Sequence, residues 1–382
     1  MISKSILFPS VIESNSVELN GVAKDILTGL RIYEDNTSYI IGELALAEGS
    51  TPLRAINGSP AYTDYKILFK AGILLATSFS NTYYPKIVIT GFPFSTYQPN
   101  REDTINLYKG IHNITYDPST YNPNQAIKPV KVVVHDIIVI PEILACVTAV
   151  RELEKGLKGK FFISSLGFGS FDACLANENG IIQRTMISNY GLRYAVNLFS
   201  KELAKNFYLD LRSEHQLDRA FTDGFIIMNR RKYNITELRK NVLERYYKDI
   251  ISPSIRNTWK DDDFAKTNYL VLTGGGSLYE ELVKCFKDEF KDLLEIIVVD
   301  DPLSFASRGY FYYGYRNLNL QSNLLIGLDI GNAHTVVTFE EVEEQPKFIK
   351  SEVDVKVKEL TNNPNFHFSK IIFDDTSSHE NK

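Results

Sequence analysis

Residues 323–341, NLLIGLDIGNAHTVVTFEE, predict two strands joined by a tight glycine turn. Glycine lets the backbone approach a ligand closely, and successive N–H groups in such a turn form a nest for anionic oxygens. The hairpin is therefore the first candidate for a phosphate-binding element.

Two further glycine-rich turns follow apolar strands, SLGFGS at 165–170 and TGGGS at 273–277. The second of them also opens a predicted helix, whose N-terminus favours negative charge. None of the three turns fits GxxxxGK[ST], and none fits GxGxxG in a Rossmann context. Three such turns in one chain therefore require comparison with a different kind of phosphate-binding protein.

Strands alternate with helices along the chain, which indicates α/β architecture. Strands are predicted at 5–12, 38–46, 86–94, 128–140 and 295–300. Helices are predicted at 63–79, 142–157, 192–206, 236–250 and 305–317.

Composition excludes several classes of protein. Of the 382 residues, 44% are hydrophobic and 23% charged, which is typical of a globular chain and not of a disordered or collagenous one. The net charge of −5 gives no general affinity for nucleic acid, so no direct nucleic-acid partner is expected. The three cysteines form no CxxC pair, which favours a cytoplasmic protein without a zinc site. The most apolar stretch, 136–150, is too short and too interrupted to span a bilayer, so no membrane partner is expected.

Several segments together resemble the actin-like ATPases. GLDIGNAHTVVT (327–338) is similar to the first phosphate loop of this family, and VLTGGGSLYEEL (271–282) is similar to its adenosine loop. KIVITGFPFSTY (86–97) resembles a strand of the plasmid-segregation (ParM) actins. HDIIVIPEILA (135–145) resembles the segment that ends in the group orienting the attacking water. The resemblance implies an actin-like, ribonuclease H-like, two-domain α/β fold with mixed sheets and a nucleotide in the interdomain cleft.

The same resemblance implies roles for individual residues. Asp329 would hold Mg²⁺ through water. Glu142 would orient the attacking water, although a Glu in the first turn of a helix can also simply complement the helix dipole. The residues that would bind ATP or ADP, besides Asp329, are Gly331, Asn332, Ala333 and His334 of the first turn, Gly167, Gly169 and Ser170 of the second, and Gly274, Gly275, Gly276 and Ser277 of the third.

The chain departs from the family in the order of its segments. The family begins with its first phosphate hairpin, whereas here that hairpin lies at 323–345 and the chain starts with a segment similar to the family's third strand. This order indicates a circular permutation. Domain I would then comprise 1–149 completed by 305–382, and domain II 150–304. The alternative is that 323–345 is an unrelated hairpin.

A second departure lies in the second phosphate loop. Ser165 occupies the position of an Asp that helps to place Mg²⁺, and a hydroxyl brings no charge to a hard cation. The metal would then rest mainly on Asp329, so hydrolysis would be slow or the nucleotide purely structural. Asp172 lies nearby in sequence but is expected to be a polar residue of the hairpin.

The expected function is that of a filament-forming, ATP-dependent actin-like ATPase of the plasmid-segregation type. It would self-associate head to tail and could engage a DNA-binding adaptor protein. Two alternatives stay open: a non-filamentous regulatory or scaffold protein with little hydrolysis, and a small-molecule kinase of the sugar-kinase type.

Overall fold

The structure is a computed structural model, and it describes residues 3–54, 58–80, 86–154, 157, 159–207 and 214–341. Two sheets and the helices packed on them form its frame. The tail 346–382, and with it most of the predicted completion of domain I beyond residue 341, lies outside the described residues.

The first sheet contains ten strands. They are β1 (Ser3–Pro9), β2 (Val11–Ser14), β3 (Arg31–Glu34), β4 (Thr37–Ile41), β5 (Leu53–Arg54), β6 (Lys86–Phe92), β7 (Gly110–Tyr116), β8 (Lys128–Pro141), β17 (Leu325–Ile330) and β18 (His334–Glu340). Their order in the sheet is β1-β18-β17-β6-β8-β7-β3-β4-β2-β5. The helices of this half are α1 (Glu43–Glu48), α2 (Thr63–Ser80), α3 (Phe94–Tyr108), α4 (Glu142–Leu153) and α11 (Phe305–Tyr312).

The second sheet is smaller. Its strands are β9 (Phe161–Leu166), β10 (Ser170–Asn177), β11 (Gly180–Ile181), β12 (Ile187–Tyr190), β15 (Tyr269–Thr273) and β16 (Glu295–Val298). Five of them follow the order β11-β10-β9-β15-β16, and β12 pairs with β10. A separate hairpin consists of β13 (Phe225–Met228) and β14 (Arg231–Asn234). The helices of this half are α5 (Arg193–Phe207), α6 (Glu214–Asp223), α7 (Thr236–Tyr246), α8 (Ser252–Thr258), α9 (Asp261–Phe264) and α10 (Glu280–Glu289).

The hydrophobic core is arranged in layers around the two sheets. Helices α4 and α11 pack on each other, and their apolar side chains form one cluster with residues of both sheets, among them Ile89 and Ile163. The outer face of the first sheet is covered by α2, and that of the second sheet by helices that include α5 and α7. The layer of α4 and α11 therefore joins the two halves through buried apolar surface, which is the main stabilising term in folding.

The hairpin of β17 and β18 lies inside the first sheet. β17 pairs in parallel with β6, and β18 pairs antiparallel with β1, with Ser3 opposite Glu340. Lys4 Nζ also lies 2.7 Å from Glu341 Oε1. The first described strand thus continues the sheet directly from the last one. This is the strand order that a circular permutation would give, while the permutation itself stays a prediction.

Some predicted elements differ from the structure. The strand prediction for 38–46 is wrong beyond Ile41, because Gly42 has a φ of 62° and turns the chain into α1. Helix α3 was not predicted, since it carries Pro99 and its composition is polar. The predicted helix 236–250 ends as an α-helix at Tyr246 and continues as a short π-helical turn.

The helices were also compared with the length of a membrane span. Within the described ranges, none combines enough length with enough apolar character to cross a bilayer.

The contact between α11 and α4 gives a test of the fold. A Cβ atom on Gly309 would lie 2.0 Å from the carbonyl oxygen of Ala145, which is helix backbone and cannot rotate away. Gly309→Ala should therefore lower the free energy of unfolding by about 2 kcal/mol or more, although alanine has the higher helix propensity. Urea unfolding measures the change.

Gly72→Ala in α2 is the matched control. Its Cβ would meet the end of the flexible Leu328 side chain, at 2.7 Å from Cδ1. Its loss of stability should be clearly smaller than that of Gly309→Ala. Equal losses would contradict the close packing of α11 on α4.

Candidate functional site

A cleft of about 1900 Å³ is lined by residues that follow the ends of strands in both sheets. All three glycine-rich turns contribute to its wall. The predicted site residues that line it are Glu142, Gly167, Gly169, Ser170, Gly274, Gly275, Asp329, Gly331, Asn332, Ala333 and His334. Gly276 and Ser277 are instead buried within the third turn. The structure therefore brings most of the predicted residues together around one cavity.

The first and second glycine turns approach each other across this cleft. A Cβ atom on Gly169 would lie 2.0 Å from Asn332 Oδ1, so a side chain at position 169 would force the Asn332 side chain to move. The backbone N–H of Gly331 donates to the carbonyl of His334 at 3.0 Å and closes the first turn. The two turns thus form opposite jaws of a narrow gap.

Hydrogen bonds from neighbouring segments stabilise each of the two turns. Ser10 N donates to the carbonyl of Ala333 at 3.0 Å, and the hydroxyls of Ser10 and Thr335 are 2.9 Å apart in a buried contact. In the second turn, the N–H groups of Leu192 and Arg193 donate to the carbonyls of Gly167 and Phe168 at 3.0 and 2.8 Å. The turns are therefore fixed before any ligand binds, which lowers the entropic cost of binding.

Two half-buried carboxyl groups line the cleft. Asp329 is in β17, and Glu142 is the first residue of α4, directly after β8. Burial raises the pKa of the Asp329 carboxyl. Burial, and then the nearby charges of Asp329 and Asp172, raise the pKa of the Glu142 carboxyl. Both groups therefore favour the protonated form, and a cation between them would reverse that preference.

Ser165 contacts one of these two carboxyl groups, that of Glu142. Its Oγ donates a hydrogen bond to Glu142 Oε1 at 3.0 Å, and its side chain is buried at the end of β9. The residue that departs from the family pattern is thus a partner of the group predicted to orient water. Its hydroxyl fixes one Glu142 oxygen and leaves the other available.

The donors in the cleft fit Mg²⁺ in one of its usual modes. Among the described residues, no group of three or more His, Cys, Asp or Glu side chains could enclose a metal ion. Mg²⁺ is commonly held by one or two carboxylates with the remaining positions filled by water and substrate phosphates. Asp329, half-buried in the wall of a cleft that three glycine turns also line, suits that mode.

Asp172 has a larger structural role than the sequence indicated. It lies opposite Ser165 in the β9–β10 ladder, and its Oδ2 accepts a hydrogen bond from the backbone N–H of Phe94 at 2.9 Å. Phe94 begins α3, where backbone N–H groups lack partners within the helix. Burial raises the pKa of Asp172 to about 6. Asp172 thus ties the second sheet to a helix of the first half.

The third turn lies against the end of β9. Gly274 has a φ of 80°, and a Cβ atom on it would lie 2.8 Å from the backbone carbonyl of Leu166. Ser277 Oγ donates to the carbonyl of Gly274 at 2.8 Å and stabilises the turn. Tyr279 and Glu281 continue the wall of the cleft from here, and Glu281 pairs with Arg239 at 2.8 Å. This wall has the aromatic and polar groups that could accommodate a base and sugar.

Sequence reasoning missed one contact behind the wall of the cleft, where Asp218 is the lining residue. Arg54 of β5 donates from Nη2 to Asp218 Oδ2 of α6 at 2.8 Å. The two residues are 164 positions apart, and neither belongs to a recognisable motif. Only their placement by the fold reveals the pair.

The raised carboxyl pKa values predict how stability depends on pH without ligand. The pKa values of Glu142 and Asp329 are higher in the folded state than in the unfolded state. Their contribution to the free energy of unfolding is therefore fully present below the unfolded carboxyl pKa, and it is lost as the pH rises through the folded-state pKa values. Glu142→Gln should flatten this decline by about 1 kcal/mol or more between pH 5 and 8. Urea unfolding of metal-free protein across that range measures it.

The control for this experiment is Glu237→Gln, at an exposed position of α7. It should keep the pH slope of the unmodified protein. If Glu142→Gln kept that slope as well, the ionised Glu142 would not be destabilising, and the burial argument would be wrong.

Comparison with known proteins agrees with this geometry. Residues 2–143 match the family model of the actin like proteins N terminal domain. No curated protein matches the chain in sequence.

Solved structures with the same fold extend the comparison to most of the chain. The archaeal actin homolog Ta0583 has a TM-score of 0.64 at 16% identity, covering 80% of this chain and 91% of its own. Its complex with ADP has a TM-score of 0.59 at 16% identity, with the same coverage of 80% and 91%. A subunit of a 15-stranded ParM filament from Clostridium botulinum has a TM-score of 0.62 at 17% identity, covering 81% and 93%.

These likenesses confirm the expected fold class. The chain has the two-domain actin-like fold with mixed sheets. The solved structures thus show the fold of the chain, and residues 2–143 match the N-terminal domain of the actin-like proteins.

Proposed function

We propose that the cleft binds ATP or ADP with Mg²⁺ and hydrolyses ATP slowly. The observation that carries this proposal is the convergence of three glycine turns on one cleft that is also lined by the half-buried carboxyl groups of Asp329 and Glu142. Backbone N–H groups of the first and second turns would surround the phosphates, and the third turn would lie against the nucleoside. The complex of Ta0583 with ADP supports the choice of ligand.

Three residues of the cleft would have separate roles in hydrolysis. Asp329 would hold the hydrated Mg²⁺, which when bound supplies positive charge to the phosphate oxygens. Glu142 would orient a water molecule for in-line attack on the terminal phosphate. Ser165 positions Glu142 through their 3.0 Å hydrogen bond but brings no second negative charge for the metal. That arrangement favours firm nucleotide binding with slow turnover.

Substitutions in the cleft test this assignment. Glu142→Gln should lower ATP turnover about 10- to 100-fold, because an amide orients water less well, while ADP affinity stays within a few-fold. Asp329→Ala should weaken Mg²⁺-dependent nucleotide binding about tenfold or more. Phosphate release and calorimetry, each with and without Mg²⁺, measure the two effects.

Two results would contradict the proposal. The first is a chain that binds no purine di- or triphosphate. The second is nucleotide binding that Asp329→Ala leaves unchanged, since the ligand would then occupy a different place. Ser188→Ala, outside the proposed phosphate contacts but on the cleft wall, should behave as the unmodified protein.

We further propose that the protein assembles head to tail into a cytoplasmic filament of the plasmid-segregation type, with a DNA-binding adaptor as partner. The ParM filament from Clostridium botulinum supports self-association of this fold. The strand order, with β18 next to β1, supports the interpretation of the chain as a circularly permuted actin fold with domain I from 1–149 and 305–382 and domain II from 150–304. The permutation would leave the three turns in their usual spatial relation.

The nucleotide state should control assembly. With a non-hydrolysable ATP analogue and Mg²⁺, light scattering and sedimentation should show polymer, and with ADP much less of it. Asp329→Ala is the control that should abolish the difference. A protein that stays monomeric with both nucleotides would favour the second candidate function, a non-filamentous nucleotide-binding regulator. The Ser165–Glu142 hydrogen bond is the observation that favours this candidate.

A further inference from the structure

Arg54 is a buried cation that contacts two residues of the cleft wall, Phe168 and Asp218, without lining the cleft itself. Its side chain is only 7% exposed, and its partner Asp218 is 22% exposed. The guanidinium carbon lies 4.7 Å from the ring centre of Phe168, in the second glycine turn. Arg54 belongs to the first sheet, whereas Asp218 and Phe168 belong to the other half of the molecule. The residue therefore bridges the two halves.

The guanidinium of Arg54 is incompletely bonded. Nη2 donates to Asp218, but Nε and Nη1 are buried and have no hydrogen-bond partner among the described residues. A buried charged donor without a partner costs free energy, and a guanidinium has N–H groups well suited to phosphate oxygens. These two donors are thus unfilled sites for an anion.

The position of Arg54 identifies the part of the ligand that it would meet. Phe168 and Asp218 both line the cleft. So does His334 of the first turn, whose pKa is lowered chiefly by burial, with the Arg54 charge also lowering it. The guanidinium therefore lies beside residues of both jaws. In the proposed binding mode, the gap between the jaws contains the terminal phosphate.

We infer that Arg54 binds the terminal phosphate of a nucleoside triphosphate, exchanging part of its contact with Asp218 for the phosphate oxygens. This inference rests on the proposed nucleotide function and adds to it a residue that distinguishes triphosphate from diphosphate. ADP lacks the group that Arg54 would contact. Binding of the triphosphate would also draw β5 toward the second turn and hold the two halves together.

Affinity measurements on three variants test the role of Arg54. Arg54→Gln retains a planar polar group beside Phe168 but has no charge. It should weaken binding of Mg²⁺ with the β,γ-imido analogue of ATP about 10- to 100-fold, and change ADP affinity less than threefold. Arg54→Lys should give an intermediate loss. Asp218→Asn should leave the affinity for the analogue unchanged or raise it, because Arg54 is then less strongly held.

Arg256→Ala is the matched control. Arg256 also pairs with a carboxylate, Glu289, at 2.8 Å, but it is 71% exposed and lies outside the cleft. It should leave both affinities unchanged. Thermal unfolding of each variant confirms that it is folded.

The outcomes separate this inference from the proposed function. If the unmodified protein binds neither nucleotide, the proposed function fails, and the inference fails with it. If it binds both and Arg54→Gln weakens both equally or neither, the nucleotide site stands but Arg54 is only a structural link to Asp218. A selective loss of triphosphate affinity supports the inference.

Discussion

The hairpin of β17 and β18 is the constraint on which the rest of the molecule depends. It lies between β6 and β1 in the first sheet, and its buried residues Leu328 and Val337 belong to the core beneath α2. The turn of this hairpin is at the same time one jaw of the cleft. Packing and the wall of the cleft therefore use the same backbone. The sheet orients the turn, and Ser10 supports it through a backbone hydrogen bond to Ala333 and a hydroxyl contact with Thr335.

Two carboxyl groups of like charge lie close together in the cleft. Asp329 and Glu142 lie where their ionised forms are poorly solvated, and the charge of Asp329 further disfavours ionisation of Glu142. Such groups weaken the fold near neutral pH unless a cation and its ligand compensate them. Functional sites often retain this kind of local destabilisation because the ligand relieves it. Ser165, as a neutral neighbour, adds no third charge to the pair.

Much of the fold could be predicted because its signals are local. The three glycine turns each follow a buried strand, and helix α2 has a regular apolar pattern, so both were found from the sequence. The helix α3 was missed because it contains Pro99 and is polar, and because the contact at its start, from the N–H of Phe94 to Asp172 of β10, is distant in sequence. Strand β4 was predicted too long because one glycine, Gly42, reverses the chain where apolar residues continue.

The site shows the same division between local and distant information. Asp329 and Glu142 lie at strand ends and could be assigned from the motifs around them. Arg54 and Asp218 meet only because separate parts of the chain fold against each other, and no spacing in the sequence reports that. The hairpin of β17 and β18, in contrast, could be predicted from the glycine turn and the apolar strands of 323–341.

The pairing of β1 with β18 has a mechanical consequence. Ser3 and Glu340 are opposite each other at one end of the ladder, and the register continues to Pro9 opposite His334. A force that pulls residues 3 and 340 apart would load the hydrogen bonds one after another, as in opening a zip, and not all at once as in shear. Tension applied to residues 3 and 340 would therefore separate β1 from β18 at a low force. The first element released would be β1, the strand before Ser10, which supports the first glycine turn of the cleft wall.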